Sequence, residues 1–295
     1  MAGNFDEDSM NKLKLSLSML IFGTIGIFVK YIPLTSSTIA MARGYMGAAF
    51  LLFVMLLSGK RVSISAIKKN ALALVLSGAA IGINWIFLFE AYNYTSVAVA
   101  TLCYYMEPVL LIILTPFVLK QKLSVKKILC VPIAIVGMVL VSGVLSAKQE
   151  VSLLGVALGL AAAVFYTSVV LTNRFLKDIS AYDSTLVQLF VAAVVITPYN
   201  LIVGMQPSGN VDIKAVIMLL VVGFLHTGLT YYLYFSSMNN LPSETVAIYS
   251  YIDPAFAILL SVFLLDEGMT PESVVGAVMI LGACIVSEIE FKKKQ

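Results

Sequence analysis

Two carboxylic acids lie in the middle of long apolar stretches, each beside tyrosines and followed at once by a proline. The first cluster is Tyr104-Tyr105-Met106-Glu107-Pro108, and the second is Tyr249-Ser250-Tyr251-Ile252-Asp253-Pro254. A carboxylate at membrane depth needs a counter-charge, a bound proton or a water-filled cavity. We therefore expect Glu107 and Asp253 to exchange protons or to bind a positively charged group of a substrate. A purely structural role, as a protonated carboxyl bonded to backbone freed by the proline, stays open.

Three further polar residues are candidates for proton coupling or charge balance. Arg43 is the only basic residue well inside an apolar stretch, and a guanidinium cannot shed its charge. One arginine cannot neutralise Glu107, Asp253 and Glu90, so at least one acid should remain free for a proton or a cation. Arg43 and Glu90 could instead reach the lipid headgroups. His226, the only histidine, is either a hydrogen-bonded packing residue or a proton carrier.

Aromatic residues around these acids predict the chemistry of a binding site. Faces of tyrosine beside a carboxylate can hold an amino group or an organic cation through cation-π contact. Helical spacing places Tyr231 and Tyr234 on one face with Thr227 and Thr230. The predicted substrate-binding residues, besides Glu107 and Asp253, are Trp85, Tyr104, Tyr105, Tyr231, Tyr234, Tyr249 and Tyr251.

Composition indicates a multi-pass membrane protein. Of the 295 residues 60% are hydrophobic and 12% are charged, and the mean hydropathy is +0.98, which is too apolar for one soluble core to bury. The basic residues form short clusters between apolar runs, as loop anchors do, so nucleic acid is not an expected partner. The expected partners are the lipid bilayer, a small-molecule substrate and protons, in a monomer or weak dimer. Nucleotide-binding, metal-ligand and Ser-His-Asp motifs are missing from the sequence, which argues against an enzyme and against a cofactor.

The lengths of the apolar runs and the polar residues between them predict ten transmembrane helices in an all-α protein. They lie near 13–32, 36–58, 70–91, 95–119, 127–146, 152–173, 182–204, 213–236, 243–265 and 271–290. With a cytoplasmic N-terminus, fifteen of the 19 lysines and arginines fall on the inside. This bias predicts a protein of the cell (inner or plasma) membrane with both termini cytoplasmic.

An internal repeat decides the predicted architecture. Shifting the sequence by 146 places Glu107 on Asp253 and aligns eight identical pairs. The pairs are Phe89/Phe235, Asn93/Asn239, Tyr105/Tyr251, Pro108/Pro254, Ile112/Ile258, Leu114/Leu260, Phe117/Phe263 and Leu119/Leu265. Residues 1–148 and 149–295 then form two five-helix repeats. Because five is odd, the second repeat enters the membrane inverted, as in many secondary transporters with a midplane site.

The chain also resembles the EamA-type branch of the drug/metabolite transporter superfamily. The likeness rests on Phe22-Gly23-Thr24-Ile25-Gly26, Arg43, Glu90-Ala91-Tyr92-Asn93-Tyr94-Thr95-Ser96, both acid-proline turns, and Leu265-Asp266-Glu267-Gly268-Met269-Thr270 followed by Gly276 and Gly282. It implies a ten-helix inverted-repeat carrier with a central cavity, lined mainly by the third, fourth, eighth and ninth helices with the first and sixth. The chain departs from the family at Lys120-Gln121-Lys122, where an acidic residue is common.

These observations together predict a secondary active transporter for a small polar organic metabolite, such as an amino acid or an amine. It would work by alternating access and be coupled to protons through Glu107 or Asp253. The alternatives are an uncoupled facilitator or exchanger and, less in keeping with the motifs, a membrane-embedded enzyme or sensor.

Overall fold

The computed structural model describes residues 7–95, 97–122, 124–141, 152–203, 209–265 and 271–288, and these are almost entirely helical. Three stretches used in the predictions from sequence lie outside the described residues. They are the boundary between the predicted repeats at 147–151, the segment 266–270 and the C-terminal lysines. The α-helices are α1 (Glu7–Val29), α2 (Ser36–Leu57), α3 (Ile64–Lys69), α4 (Ala71–Tyr94), α5 (Val97–Tyr104), α6 (Glu107–Leu119), α7 (Val125–Val141), α8 (Leu153–Asn173), α9 (Ala181–Val203), α10 (Ile213–Val221), α11 (Thr230–Met238), α12 (Ser243–Ser250), α13 (Ile252–Leu265) and α14 (Pro271–Glu288).

Helices long and apolar enough to cross a membrane make up most of the described chain. Seven meet both criteria, and Ile128–Leu140 is a shorter apolar helix. The seven are Glu7–Val29, Ser36–Leu57, Ala71–Tyr94, Val99–Leu119, Leu153–Asn173, Ala181–Val203 and Ile213–Met238. Large apolar side chains also cover the outside of the bundle: Phe117 is 78% exposed and Ile202 is 86% exposed. Such surfaces need a hydrocarbon solvent, so the chain is an α-helical membrane protein.

Both acid-proline clusters coincide with breaks in the helices. α5 ends at Tyr104 and α6 begins at Glu107, while α12 ends at Ser250 and α13 begins at Ile252. Proline has no backbone N–H, so it is best tolerated in the first turn of a helix, where that group has no intrahelical partner. Pro108 and Pro254 both occupy such first turns. The fourth and ninth predicted spans are therefore each divided into two helices at the acid.

Glycines allow the helices of the two sequence halves to approach closely. α4 packs along both α8 and α9. A Cβ atom on Gly78 would lie 2.7 Å from Val191 Cβ, and one on Gly82 would lie 2.8 Å from the Ala192 carbonyl oxygen. On α8, a Cβ at Gly159 would lie 2.8 Å from Cys103 Cβ of α5. Gly78 and Gly82 are four residues apart, so both lie on the face of α4 that meets α9.

Buried amides join the same helices. Gln188 Nε2 of α9 donates to Ser77 Oγ of α4 at 2.6 Å and to Asn173 Oδ1 of α8 at 3.0 Å. Asn84 Nδ2 of α4 donates to the Ala162 carbonyl of α8 at 2.7 Å. In a bundle surrounded by lipid, these bonds and the close glycine contacts stand in for the hydrophobic effect of a soluble core.

A π-helical segment, Val222–Leu229, connects α10 to α11. Inside it, Thr227 Oγ1 donates to the Val222 carbonyl at 2.9 Å, and Thr230 Oγ1 donates to the Leu225 carbonyl at 2.8 Å. Each hydroxyl bonds to the carbonyl five residues earlier. In an α-helix that carbonyl would accept from the backbone N–H four residues later. The sequence predicted a regular helix here, and the π segment is a local departure of the kind often found at functional sites.

Candidate functional site

A cavity of about 580 Å³ lies at the centre of the bundle. Its lining includes Phe22 and Gly23 of α1, Arg43 of α2, Trp85 of α4, Tyr104 of α5, Glu107 of α6, Tyr166 of α8, Tyr231 of α11, Ser250 of α12 and Asp253 of α13. The walls are mainly apolar and aromatic, with a few polar groups, which is the usual makeup of a small-molecule site. Both halves of the sequence contribute to it.

Glu107 and Asp253 face this same cavity. Glu107 is 4% exposed, and its Oε1 atom is buried without a hydrogen-bond partner. Asp253 is half-buried, and its side chain is a hydrogen-bond partner of Tyr105, which also lines the cavity. The two acids therefore differ in environment: Asp253 has a fixed partner, while one oxygen of Glu107 is left open.

Arg43 stacks on an aromatic ring instead of pairing with an acid. Its guanidinium carbon lies 4.4 Å from the ring centre of Trp85, and its Nε atom is buried without a partner. Within the described part of the chain, no carboxylate lies within ion-pair distance of Arg43. The expectation that an acid compensates this charge is therefore not met by the residues described. Arg43 does line the cavity, so its charge faces the site.

Aromatic rings surround the charged groups. Trp85 is 3% exposed and meets Tyr231 edge to face, with ring centres 6.4 Å apart. Tyr231 in turn meets Phe22 at 5.2 Å. Tyr104 lies 6.0 Å from Tyr166, ring centre to ring centre. The structure thus brings four predicted aromatic residues, Trp85, Tyr104, Tyr105 and Tyr231, to the cavity wall.

Several wall residues were not among the predicted site residues, including two whose rings pack against predicted ones. Phe22 and Tyr166 both line the cavity. Tyr166 carries the same signal that marked Tyr104, a tyrosine in the middle of an apolar span, and could have been found by it. Phe22 has no such signal, because one phenylalanine in an apolar helix is indistinguishable from a lipid-facing residue.

Three predicted tyrosines lie behind the cavity wall. Tyr234 is fully buried and stacks on Tyr166 at 6.3 Å. Tyr251, at the break between α12 and α13, packs into a separate core cluster with Met138 and Ile280. Tyr249 packs against the main core. Since Ser250 and Asp253 take the positions facing the cavity, the residues adjacent to Ser250 point elsewhere.

Glu90 and His226 are also outside the lining. The Tyr199 hydroxyl donates to Glu90 Oε1, and Asn93 Nδ2 donates to Glu90 Oε2 at 3.4 Å. His226 is fully buried, with Nε2 2.7 Å from Thr24 Oγ1 and Nδ1 3.4 Å from the Val221 carbonyl oxygen. Both side chains thus have partners within the protein; the partners of His226 fit the hydrogen-bonded packing role considered for it.

The cavity is notable for buried polar atoms that have no hydrogen-bond partner among the described residues. Besides Glu107 Oε1 and Arg43 Nε, these include Asn84 Oδ1. All three residues line the cavity. A buried polar group without a hydrogen bond is energetically costly, so such groups are usually satisfied by water or by a ligand. Among the described residues no group of three or more His, Cys, Asp or Glu side chains is placed to hold a metal ion.

A lipid-facing helical bundle with a mainly apolar and aromatic central cavity defines a multi-pass membrane protein with room for a small molecule. The sequence pattern of the EamA-like transporter family matches the chain twice, over residues 13–143 and 153–288. The chain therefore belongs to the EamA-like transporter family. Its two matches also agree with the repeat found by shifting the sequence against itself.

Individual proteins support the same assignment. The chain is 28% identical over 286 residues to the uncharacterized transporter YxxF of Bacillus subtilis (strain 168), covering 96% of this chain and 90% of that protein. It is 24% identical over 272 residues to an uncharacterized transporter of Archaeoglobus fulgidus, covering 92% and 93%. A solved crystal structure superimposes with a TM-score of 0.83 at 16% identity, over 95% of this chain and 96% of that one. At that identity the structural likeness shows the fold alone.

Proposed function

We propose that the protein is a secondary active transporter for a small polar organic metabolite, an amino acid or an amine. In this proposal ten helices form two inverted five-helix repeats, which rock about the central cavity to give alternating access. The observation that carries the proposal is the convergence of Glu107 from one repeat and Asp253 from the other on one cavity. The two family matches and the odd number of helices predicted from the sequence for each half support the inverted arrangement.

The walls favour an organic substrate over a bare ion. Trp85, Tyr104 and Tyr231 present aromatic surface, and aromatic faces attract ammonium groups when water is excluded. A volume of about 580 Å³ lies within the range of small-molecule pockets. The unpartnered oxygens of Glu107 and Asn84 supply hydrogen-bond acceptors for such a group.

Proton coupling is assigned to the acids. Glu107 is the stronger candidate, because a buried carboxyl oxygen without a partner can gain or lose a proton without breaking an existing bond. Asp253 is the alternative, because it lines the same cavity. His226 is a weaker candidate since both ring nitrogens contact oxygen atoms away from the cavity.

Purified protein in liposomes with an imposed pH gradient tests the proposal. A pH-sensitive dye inside the vesicles should report proton movement when an amino acid or amine is added. Substrate flux that does not depend on the pH gradient, but is accelerated by substrate on the far side, would indicate an exchanger without proton coupling. Saturable binding without any flux would reject transport and favour a sensor or a membrane enzyme.

The proposed setting is the cell membrane with both termini cytoplasmic, in a monomer or weak dimer. The charge bias between loops supports this orientation. Single cysteines at Lys60 and Lys214, introduced into a variant lacking Cys103, Cys130 and Cys284, should react with an impermeant maleimide from opposite sides of the membrane. Labelling of both sites in intact cells would overturn the assignment.

A further inference from the structure

We infer that Arg43 and Trp85 form a carboxylate-binding subsite, so that the cargo is a zwitterion such as an amino acid and not a simple amine. This narrows the substrate class of the proposed transporter and, for transport itself, rests on that function. The binding claim stands by itself, because it concerns which chemical groups the cavity can hold.

The first step is that the Arg43 charge has no counter-charge among the described residues. Its Nε atom is buried without a partner, and no carboxylate is within ion-pair distance. A guanidinium stays charged at any physiological pH, so it cannot escape burial by losing a proton. An uncompensated charge inside a membrane protein is costly and is usually a sign of function. An anionic group of the substrate would supply the missing counter-charge.

The second step is that Arg43 is held in a fixed orientation. Its guanidinium lies over the Trp85 ring at 4.4 Å, and Trp85 is itself held against Tyr231 at 6.4 Å. The ring contact leaves Nε without a hydrogen-bond partner, and the N–H groups of a guanidinium project in the plane of the group. Such a planar fork matches the two oxygens of a carboxylate. Trp85 is therefore a positioning residue for Arg43.

The third step is that the opposite charge is also present in the cavity. Glu107 has an unpartnered oxygen, and Asp253 lines the same space. A lining with one arginine and two acids disfavours a doubly charged anion such as a phosphate, since the acids would repel the second negative charge. A zwitterion can place its carboxylate at Arg43 and its ammonium group at the acids, so it balances both the positive and the negative charge of the lining.

Pairs of compounds that differ only in a carboxylate test this inference. Binding of phenylalanine and phenethylamine, leucine and isoamylamine, and lysine and cadaverine would be measured on the purified full chain by thermal shift and calorimetry. We expect the amino acid of at least one pair to bind about tenfold or more tightly than its amine. Arg43→Gln should remove that preference by weakening the amino acid and leaving the amine unchanged.

Arg174→Gln is the matched control. Arg174 is also a half-buried arginine, but it donates to the Asn239 carbonyl at 3.1 Å and does not line the cavity. Its loss should leave the preference intact. Arg43→Lys should keep the charge yet lose the fork, so an intermediate preference is expected. If Arg43→Gln does not fold, the comparison of each pair on the unmodified protein still tests whether the cavity prefers compounds with a carboxylate.

Two outcomes would overturn the inference: amines that bind as tightly as their amino acids, or no binding by either member of any pair. A third outcome separates it from the proposed function. If amino acids bind through Arg43 yet no flux appears in liposomes, the subsite stands and the transport proposal fails. Conversely, transport of amino acids that is unaffected by Arg43→Gln would leave the transporter in place and reject the subsite.

Discussion

Gly23 of α1 lies directly against the backbone of Asp253 of α13. A Cβ atom at Gly23 would be 2.8 Å from the Asp253 carbonyl oxygen, a distance that real Cβ atoms essentially never show. The same atom would be 3.2 Å from the Ala257 backbone nitrogen. Because all these neighbours are backbone or Cβ atoms, they cannot swing aside. α1 therefore fixes the position of the helix start that carries the cavity acid.

The first prediction concerns this contact. Gly23→Ala should force α1 and α13 apart and destabilise the protein by about 1–3 kcal/mol, as overpacking does. Thermal unfolding in detergent gives the measurement. Gly26→Ala is the matched control, since Gly26 lies one turn along the same helix and a Cβ atom there would meet nothing within 4 Å. Equal melting temperatures for the two variants would contradict the close contact.

The second prediction separates the two acids. Glu107→Gln keeps the shape and removes the buried charge, so stability should change by less than about 1 kcal/mol. Proton movement coupled to substrate should fall about tenfold or more, measured with a dye in liposomes, if Glu107 carries the proton. Asp253→Asn is the companion variant. Should coupling survive Glu107→Gln and disappear in Asp253→Asn, the roles of the acids are reversed.

The third prediction concerns the contact between α1 and the π segment. Thr24→Val would leave His226 Nε2 buried without its partner, at a cost of about 1–3 kcal/mol. His226→Phe should cost less, because Thr24 Oγ1 still donates to the Ile21 carbonyl at 2.7 Å. The double variant should cost less than the sum of the two, because both remove the same bond. Unfolding free energies of the four proteins form the test. Strict additivity would mean that this hydrogen bond contributes nothing to stability.

The fourth prediction concerns Glu90. Its carboxylate is bound by Tyr199 and Asn93 and does not line the cavity. Glu90→Gln should therefore lower substrate flux by less than about threefold, the effect of one weakened hydrogen bond. Tyr199→Phe should also lower substrate flux by less than about threefold, because it removes one of the hydrogen bonds to Glu90. A complete loss of flux in Glu90→Gln, with normal folding, would place Glu90 on the transport path.

The acids and the helices around them were predictable because each has a strong sequence signal. A charged residue in a long apolar run is conspicuous, and Glu107 and Asp253 are reinforced by the prolines and by the repeat. The membrane helices follow from run length, since lipid allows few other backbone structures. The short helix α3 was missed, because Ser63 caps only six residues, half of them polar, and these form no apolar run.

The side-chain partners were less predictable, because they depend on which helix faces which. Arg43 was expected to need an acid, and it stacks on Trp85 instead. Tyr234 was placed on a binding face by regular helical spacing, yet it packs behind Tyr166. The π segment interrupts that spacing, and no composition rule marks where a helix will change its hydrogen bonding.

The π segment also sets the rotational phase of everything after it. Gly223 and Gly228 let it press against Met46 and Phe50 of α2, and His226 joins it to Thr24 of α1. A π-helix turns less per residue than an α-helix, so α-helical bonding over the same eight residues would rotate α11 relative to α10. Tyr231 would then leave the cavity wall. The hydrogen-bond pattern of this stretch therefore determines which ring faces Trp85.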